Sequence, residues 1–232
     1  MILNGDCLDL MSDLPQVDMV LCDLPYGTTQ CSWDTPLDLE RLWALYRKIC
    51  KGPIVLFAKS PFDKVLAVSN LKALRYEWIW EKSKATGFLN AKKRPLEAHE
   101  SILVFSDRTP PYYPQMTPGE PYDKGVRKKQ TEDDIYGQFN QTHIKSSGQR
   151  YPRSVVYFKT AESEGKTFHK TQKPVDLCRY LIRTYTQPGQ VILDNCMGSG
   201  TTGIAARLED REFIGIEKDE AMFNIAKERL NG

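Results

Sequence analysis

The sequence predicts an α/β domain in which helices cover both faces of a parallel sheet, and three observations support this prediction. Short continuous apolar runs alternate with helix-like stretches in the first 80 residues and again after residue 154, which is typical of strands buried on both faces. A glycine-rich turn stands between a strand-like and a helix-like segment near the C-terminus. The length of 232 residues and the hydrophobic content of 41% suffice for one sizeable core.

The N-terminal half contains two apolar runs, at 18–22 and 53–58, and each predicts a strand. The stretch from Leu37 to Cys50 lies between them, and its apolar residues recur at spacings of three and four. This spacing is the period of a helix with one buried face. Residues 75–80 and 101–105 predict two further strands.

The C-terminal part resumes regular structure with an apolar run at 154–158, which predicts another strand. A helix is predicted from Pro174 to Thr186, because one face is apolar and proline favours the first position of a helix. Strand, helix, strand and helix are then predicted at 191–193, 200–208, 212–216 and 219–230.

The segment from Asp107 to Arg153 differs from the rest of the chain. Only five of its 47 residues are Val, Ile, Met or Phe, none is Leu, and six are Pro. Such a composition does not build a core of its own, so we predict an irregular insertion.

The region from Lys82 to Lys173 carries 17 Lys or Arg against 10 Asp or Glu, whereas the rest carries 15 against 20. A basic middle indicates a polyanionic partner, although a solvated lysine-rich surface accounts for the charge equally well.

Several classes of protein are disfavoured by composition. No apolar run approaches the roughly 18 residues of a membrane span, and the N-terminus lacks a basic signal-peptide region. The six cysteines and three histidines are scattered, with no CxxC pair, which disfavours a metal site and indicates free thiols in a reducing compartment. We therefore expect a cytoplasmic protein that uses no metal and contacts no membrane.

The glycine-rich turn contains Gly198, Gly200 and Gly203 in the spacing GxGxxG, between a predicted strand and a predicted helix. Glu217 follows 19 residues after Gly198, where an acidic side chain binds ribose hydroxyls in dinucleotide-type sites. The pattern alone does not separate NAD from other adenosine cofactors, and a turn without a ligand stays open. The carboxylate of Asp194 beside the loop favours a cationic ligand such as S-adenosylmethionine (AdoMet) over a pyrophosphate.

The tetrapeptide Asp23-Leu24-Pro25-Tyr26 follows directly on the strand at 18–22, where ligands bind in open α/β sheets. It resembles the (Asp/Asn/Ser)-Pro-Pro-Tyr motif of the β group of DNA amino-methyltransferases. Nearly the whole chain outside 107–153 resembles that family in the order of its segments. The matching segments are Asn4-Gly5-Asp6-Cys7, Trp80-Glu81-Lys82 with 100–105, 169–174, 194–202 and Gly215-Ile216-Glu217.

The resemblance implies a circularly permuted, Rossmann-like AdoMet-dependent methyltransferase sheet. Residues 1–106 would form its catalytic half, 107–153 a target-recognition insertion and 154–232 its cofactor half. It also implies methyl transfer to N6 of an adenine flipped out of double-stranded DNA, because Asp at the first motif position accompanies adenine and Ser accompanies cytosine N4 in the family. C5-cytosine chemistry would need a Pro-Cys dipeptide, which the sequence lacks.

The same resemblance assigns roles to individual residues. The catalytic residues would be Asp23, Leu24, Pro25 and Tyr26. The cofactor residues would be Asp6, Cys7, His169, Thr171, Lys173, Asp194, Cys196, Gly198, Ser199, Gly200, Thr201 and Glu217. DNA phosphates would be contacted by Lys82, Lys84, Lys92, Lys93 and Arg94 and by Lys124, Arg127, Lys128 and Lys129.

Two departures from the family pattern concern packing rather than polar groups. Leu24 replaces the first Pro but retains the backbone carbonyl that serves as an acceptor, and Cys196 replaces the usual Phe. Trp33 and Asp34 belong either to a loop that closes over the flipped base or, for Trp33, to the core.

Three other functions stay open: N4-cytosine methylation on the same fold, RNA methylation, and a catalytically silent AdoMet-binding subunit that assists DNA binding. Intact Asp23, Pro25 and Tyr26 disfavour the silent subunit. A dehydrogenase is disfavoured because no acid/base residue facing a nicotinamide is identified. The sequence does not determine the DNA recognition site or whether the protein is a homodimer. It also does not determine whether the enzyme belongs to a restriction–modification system, is encoded by a phage or has a regulatory role.

Overall fold

The computed structural model describes residues 1–27, 35–126, 143–168 and 171–231, and the backbone of 132–133 and 137–138. Two compact units are present. The first comprises Met1–Tyr113 with Ser154–Gly232, and the second comprises Pro114–Arg153. None of the helices in the described ranges combines the length and the apolar character needed to cross a membrane.

The secondary structure alternates between strands and helices through most of the first unit. The strands are β1 (Ile2–Asn4), β2 (Met19–Asp23), β3 (Ile54–Ala58), β4 (Leu74–Thr86), β5 (Glu97–Phe105), β6 (Thr117–Pro118), β7 (Tyr122–Val126), β8 (Glu132–Asp133), β9 (Gly137–Gln138), β10 (His143–Ser146), β11 (Gln149–Arg150), β12 (Val155–Phe158), β13 (Val191–Asp194) and β14 (Glu212–Glu217). The helices are α1 (Cys7–Leu10), α2 (Leu39–Ile49), α3 (Phe62–Ser69), α4 (Val175–Tyr185), α5 (Thr201–Leu208) and α6 (Glu220–Asn231).

Eight strands of the first unit form one sheet in the order β1-β14-β13-β2-β3-β5-β4-β12. β5 runs antiparallel to both of its neighbours, and the other neighbouring pairs are parallel. The predicted parallel sheet is therefore a mixed one, in which β5 is the antiparallel strand. The reason is that β4 and β5 form a hairpin, which reverses the chain, and β5 then inserts between β4 and β3.

The two ends of the chain meet at one edge of the sheet. β1 pairs in parallel with β14, so that Asn4 lies opposite Glu217. The amide of Asn4 donates to the carbonyl of Glu217 over 2.8 Å. This pairing is what a circular permutation requires, because the N-terminal strand continues the sheet from the C-terminal one.

Two apolar layers cover the two faces of the sheet. Val20 and Cys22 of β2 pack with the buried residues of α2, whereas Met19 and Leu21 pack with those of α4. This alternation follows from the period of two along a strand. The prediction of helices on both faces is confirmed, although α3 was not anticipated from the sequence.

Helix α2 shows why these elements form where they do. The carboxylate of Asp38 accepts a hydrogen bond from the amide of Arg41 over 3.1 Å and caps the first turn. The buried residues of the helix recur at spacings of three and four, as expected for one buried face: Leu42, Trp43, Tyr46 and Ile49.

In the described residues of the second unit, the strands form short antiparallel pairs, in which β10 pairs with β7, β11 with β6 and β8 with β9. Residues 107–113, which the sequence grouped with the insertion, belong to the first unit, where the amide of Tyr113 donates to the carbonyl of Thr184.

Candidate active site

Three acidic residues end neighbouring strands at the same edge of the sheet. Asp23 is the last residue of β2, Asp194 the last of β13, and Glu217 the last of β14. These strands are parallel neighbours, so their carboxyl ends lie side by side. The carboxyl edge of an open α/β sheet is where such folds bind ligands.

The tetrapeptide that begins at Asp23 is held by hydrogen bonding and ring stacking. The hydroxyl of Tyr26 donates to Oδ1 of Asp23 over 2.5 Å. The ring of Tyr26 stacks on Phe62 with centroids 5.0 Å apart, and Leu24 is buried. The side chain of Asp23 is still 28% exposed, so its carboxylate can accept further hydrogen bonds from a ligand.

This carboxylate belongs to a cluster of four charged residues, whose other three members are largely buried. Nζ of Lys173 donates to Oδ2 of Asp23 over 2.5 Å and lies 3.4 Å from Oε2 of Glu100. Oε1 of Glu100 pairs with Nζ of Lys82 over 2.5 Å. The two acids and two lysines balance each other, as buried charges require.

The cluster favours the charged forms of Lys173 and Glu100. Burial alone disfavours the Lys173 ammonium, but the charges of Asp23 and Glu100 outweigh burial and raise the pKa of Lys173 above its usual value. Burial also disfavours the charged form of Glu100 and by itself would raise the pKa of this carboxyl group. The positive charges of Lys173 and Lys82 outweigh burial, so the pKa of Glu100 is lowered. Asp23 therefore faces a permanent cation on one of its oxygens.

The glycine-rich loop connects β13 to α5, and its backbone closes on β14. The amide of Gly198 donates to Oε2 of Glu217 over 2.8 Å, and the amide of Met197 donates to the carbonyl of Ile216 over 2.9 Å. Gly198 and Gly200 have φ of 51° and 81°, which a side chain would disfavour. The helix α5 begins at Thr201, so its free amides face this loop.

The third glycine serves packing. A Cβ at Gly203 would lie 2.6 Å from the ring of Phe213, so the close approach of α5 to β14 requires a residue without a side chain.

The N-terminal segment reaches the same loop from the edge of the sheet. Asp6 caps α1 by accepting from the amide of Leu8 over 3.0 Å, and it pairs with Lys218 over 3.0 Å. The hydrogen bond from Lys218 lowers the pKa of Asp6. Asp6 and Glu217 thus lie close together although they stand at opposite ends of the chain.

Asn195 of the loop and Tyr46 of α2, which contacts it, were not anticipated as site residues. Asn195 is buried, accepts from the hydroxyl of Tyr46 over 2.5 Å, and points its amide at the sulfurs of Cys7 and Cys196 over 3.6 and 3.5 Å. Tyr46 carried only the signal of a buried helix face. The structure thereby joins Cys7 and Cys196, two predicted cofactor residues, through Asn195.

The loop region fits a ligand that has a cationic end and hydroxyl groups. Burial raises the pKa of Asp194 to about 6, and a cationic ligand beside the carboxylate would stabilise its charged form. The hydroxyl of Thr201 is buried without a hydrogen-bond partner among the described residues. A Cβ at Gly198 would meet nothing within 4 Å, so open space lies beside the loop.

The segment before α4 contacts both the glycine-rich loop, through Gln172, and Asp23, through Lys173. Oε1 of Gln172 accepts from the hydroxyl of Ser199 over 3.3 Å, and Arg229 of α6 donates to the carbonyl and the hydroxyl of the same serine. Thr171 is exposed, and Lys173 contacts Asp23, as described above. His169 lies outside the described residues, as do Trp33 and Asp34.

The predicted phosphate contacts have unequal surroundings. Lys82 is only 7% exposed and pairs with Glu100, so its assignment as a phosphate contact is wrong: the side chain is used inside the protein. Lys84 pairs with Glu162 over 3.6 Å and Arg94 with Glu97 over 2.9 Å. The other predicted residues in the described ranges are exposed, and they are Lys92, Lys93 and Lys124. Arg127, Lys128 and Lys129 lie outside the described residues.

Glu100 is a further functional candidate that sequence reasoning missed. It was noticed only as part of a family-like segment, and the chain distance of 73 residues to Lys173 hides their contact. A buried acid opposite Trp80 in a strand pair is detectable only once the pairing of β4 and β5 is known.

Comparisons with known proteins agree with this geometry. A family model described as DNA methylase, of the N6/N4 methyltransferases, matches residues 17–228. The type II methyltransferase M.HinfI of Haemophilus influenzae is 41% identical over 99% of this chain and 67% of its own length. M1.MboII of Moraxella bovis is 26% identical over 97% of this chain and 94% of its own length.

A third relative, the type II methyltransferase M.XycI of Xanthomonas campestris pv. cyanopsidis, is 30% identical over 68% of this chain. The match covers 45% of M.XycI, so the chain spans less than half the length of that relative.

Solved structures share the fold at low sequence identity. The crystal structure of an M1.HpyAVI–SAM complex gives a TM-score of 0.69 at 23% identity and covers 100% of this chain and 99% of that chain. The cytosine-N4-specific PvuII DNA methyltransferase gives a TM-score of 0.62 at 16% identity, with 100% and 92% covered. The predicted family and α/β sheet are thereby confirmed. With a family model spanning most of its length, the chain belongs to the N6/N4 DNA methylase family, whose members use AdoMet as methyl donor.

Proposed function

We propose that this chain is an AdoMet-dependent methyltransferase that methylates N6 of a flipped adenine in double-stranded DNA. The observation that carries the proposal is the adjacency of Asp23 and the glycine-rich loop at the carboxyl ends of β2 and β13. One strand end would hold the target base and its neighbour the methyl donor. Their proximity matters because direct transfer needs both reactants aligned in one place.

The chemistry requires acceptors at the target amino group. The lone pair of an exocyclic amino group is delocalised into the ring, which makes the nitrogen a poor nucleophile. The Asp23 carboxylate and the Leu24 carbonyl would accept the two N–H hydrogens and favour a pyramidal nitrogen with a localised lone pair. AdoMet, when bound, would supply the methyl group from its sulfonium, because the methyl–sulfur bond that breaks leaves a neutral thioether, which is a good leaving group.

The proton balance also involves Asp23. The nitrogen gains a methyl group and must lose one of its two hydrogens. Asp23 is the acceptor for such a hydrogen, and Lys173 keeps a cation on the other oxygen of the carboxylate. The protein contributes alignment and electrostatics rather than a covalent intermediate.

The target base must leave the duplex to reach this edge, which costs a few kcal/mol. Tyr26 would stack on the extruded base through the ring face that Phe62 does not cover. Asp rather than Ser at position 23 favours adenine over cytosine within the family pattern.

The experiment that tests the proposal is expression in a host that lacks DNA methylation, followed by single-molecule sequencing and mass spectrometry of digested nucleosides. N6-methyladenine at a defined sequence is the expected result, and it also gives the recognition site. N4-methylcytosine would retain the family and reject the base assignment. Methylated RNA with unmodified DNA would reject the substrate, and unmodified nucleic acid would favour the silent subunit.

Glu217 is expected to bind the ribose hydroxyls of AdoMet. Its two oxygens accept from the amides of Gly198 and Asp219, each over 2.8 Å, and a carboxylate has about four acceptor sites, so capacity for hydroxyl donors remains. The Glu217→Ala variant should lose about 1.5–3 kcal/mol of AdoMet binding free energy, as for a hydrogen bond to a charged group. Calorimetry of AdoMet binding measures this loss.

The control for this variant is Glu212→Ala, at the exposed start of the same strand, and its AdoMet affinity should equal that of the wild type. An unchanged affinity in folded Glu217→Ala protein would contradict the ribose assignment. Tighter binding of NAD than of AdoMet by the wild type would contradict the choice of cofactor.

Lys92, Lys93 and Arg94 are expected to supply sequence-independent DNA affinity. Replacing all three with Ala should weaken binding similarly on cognate and non-cognate duplexes. The slope of log K against log salt should shrink by about 0.9 per lost phosphate contact. Since Arg94 already pairs with Glu97, we expect a change near two contacts rather than three. Fluorescence anisotropy titrations over a range of salt concentrations measure the slope.

The exposed Lys227 of α6 provides the matched control, because Lys227→Ala should leave the slope unchanged. A triple variant with the wild-type slope would place the three residues on a solvated surface. Lost discrimination between sequences with an intact slope would instead assign them to base recognition.

A further inference from the structure

The hairpin between β4 and β5 carries an unusual tip. Leu89 is 97% exposed and Phe88 is 81% exposed, and they are the two most exposed large hydrophobic side chains among the residues that the structure describes. They are adjacent, and neither the proposed methyl-transfer site nor the core uses them. Contiguous exposed apolar side chains usually mark an interaction site.

The backbone of the tip is ordered by its own hydrogen bonds. The amide of Asn90 donates to the carbonyl of Gly87 over 2.9 Å, and that of Ala91 to Phe88 over 3.0 Å. Gly87 has a φ of 88°, and a Cβ there would meet nothing within 4 Å, so the glycine is needed for the turn rather than for space. The apolar pair is therefore presented by a defined turn, which lowers the entropic cost of binding.

The hairpin extends from the edge of the sheet that carries Asp23. Ser101 of β5 lies opposite Ala58, the last residue of β3, and Asp23 lies opposite Phe57. The residues of β5 before Ser101 thus continue past the end of β3. Glu97, at the start of β5, forms an ion pair with Lys59 just after β3. This ion pair connects the hairpin to the end of β3, at the edge of the sheet that carries Asp23.

The hairpin is also linked to the catalytic carboxylate itself. Glu100 in its second arm contacts Lys173, which binds Asp23, and Lys82 in its first arm pairs with Glu100. An element built into the charged cluster is held in a fixed position relative to the site where the base would be methylated.

The charge around the tip identifies the class of partner. Residues 83–96 contain four Lys or Arg, all exposed, and no Asp or Glu. Lys84 and Arg94 form ion pairs with Glu162 and Glu97, and Lys92 and Lys93 follow soon after the apolar pair. An apolar pair flanked by cations matches a nucleic acid, whose phosphates surround apolar base stacks. A second copy of this chain that approached with the same hairpin tip would bring the same cations and be repelled.

We propose that Phe88 and Leu89 form an apolar wedge that inserts into the DNA base stack beside the target adenine and stabilises the extruded state. The inference rests on the proposed function and adds residues that would make base extrusion favourable. Proteins that insert such side chains offset the unstacking cost by filling the gap between base steps. The wedge acts on the duplex, whereas Asp23 and Tyr26 act on the base after it leaves.

The test uses the full-length protein and a duplex that contains the mapped recognition site with 2-aminopurine at the target position. Wild-type protein should increase the fluorescence of 2-aminopurine, which rises when the base leaves the stack. The Phe88→Ala/Leu89→Ala variant should lose most of this increase and bind the duplex about tenfold more weakly, as for the loss of base stacking. Its salt slope should stay at the wild-type value, because no phosphate contact is removed.

A second duplex distinguishes the loss of a wedge from a general loss of catalytic activity in the double variant. When the target adenine faces an abasic site, extrusion costs less, so methylation by the double variant should recover to within about twofold of the wild type. Val68→Ala on α3 is the matched control, because Val68 is also exposed, at 73%, and this variant should behave as wild type on both duplexes. Phe88→Trp should retain activity and show quenched indole fluorescence on binding.

The outcomes are distinguishable from failure of the proposed function. Wild-type protein that methylates no adenine in the unmodified duplex would contradict the proposed function itself. Wild-type methylation with an unchanged fluorescence increase in the double variant would overturn only the wedge. A changed oligomeric state of the double variant, with normal base extrusion, would overturn it in favour of a contact between copies.

Discussion

Replacement of Asp23 by alanine is expected to lower the rate of methyl transfer to DNA about 10²–10³-fold, by analogy with the removal of one oriented group from a preorganised site. The variant loses the acceptor for an amino hydrogen and the partner of Lys173. AdoMet binding should persist, because the glycine-rich loop and Glu217 hold each other independently of Asp23. DNA binding should also persist, since phosphate contacts dominate affinity. Transfer of a tritiated methyl group to DNA measures the rate.

Two further substitutions sharpen this prediction. Asp23→Asn keeps the shape and one acceptor oxygen but removes the charge, so its rate should lie between those of wild type and Asp23→Ala. Asp23→Ser introduces the residue that accompanies cytosine N4 in the family and should leave weak residual transfer. If the Asp23→Ala variant transferred methyl groups to DNA as fast as the wild type, the catalytic assignment of Asp23 would be wrong.

Replacement of Lys173 by methionine is expected to have the second largest effect, although the residue does not touch the base in our proposal. The neutral side chain leaves Asp23 without its cation and Glu100 with Lys82 alone. Misplacement of a reacting group by about 1 Å can cost about 10²-fold in rate, and we expect a loss of that size. Breaking the buried cluster should also lower the free energy of unfolding by about 3 kcal/mol, near the lower end of the range for buried ion pairs.

The pH dependence of the unfolding free energy tests whether Lys173 acts through the charged cluster. Lys173 lowers the pKa of Glu100 from its usual 4.5, so it contributes stability at neutral pH that is lost as the pH falls and Glu100 becomes protonated. The difference in unfolding free energy between wild type and Lys173→Met should therefore shrink as the pH falls below 4.5 and through the lowered pKa of Glu100. Urea unfolding at several pH values measures this difference.

Conservative variants complete the test of the cluster. Lys173→Arg keeps the charge and should recover much of the rate, whereas Lys173→Met combined with Glu100→Gln should recover stability but not rate, because Asp23 still lacks its cation. A constant stability difference across pH, or full activity in Lys173→Met, would contradict the role assigned to the cluster. Exposed Lys48 on α2, which donates to the carbonyl of Ser12, serves as a control lysine.

Local sequence determined much of the fold. The apolar runs at 18–22, 53–58 and 191–193 correspond to β2, β3 and β13, because a buried strand needs a continuous apolar run and little else. The glycine spacing predicted the loop before α5, because φ values of 51° and 81° favour residues without a side chain. Asp23 and Asp194 could be placed at strand ends from position alone.

Other features of the fold depended on contacts distant in sequence. Helix α3 has no long apolar periodicity, and β4 extends to Thr86 because it pairs with β5. The antiparallel direction of β5 was not visible in the sequence, since an apolar run has the same composition in either direction. The burial of Lys82 likewise depends on the strand that lies beside it.

The sequence by itself determined the class of fold, the strand ends and the motifs that point to AdoMet and an amino group. Only the tertiary structure decided which side chains act together at that edge. Lys173 stands 150 residues from Asp23, and Asn4 stands 213 residues from Glu217. Local periodicity reports how a segment meets its own neighbours along the chain, whereas these contacts arise when sheet order brings remote strand ends together. The charge of Lys82 and Lys173 was legible in the sequence, but its use depends on the buried carboxylates that the fold places beside them.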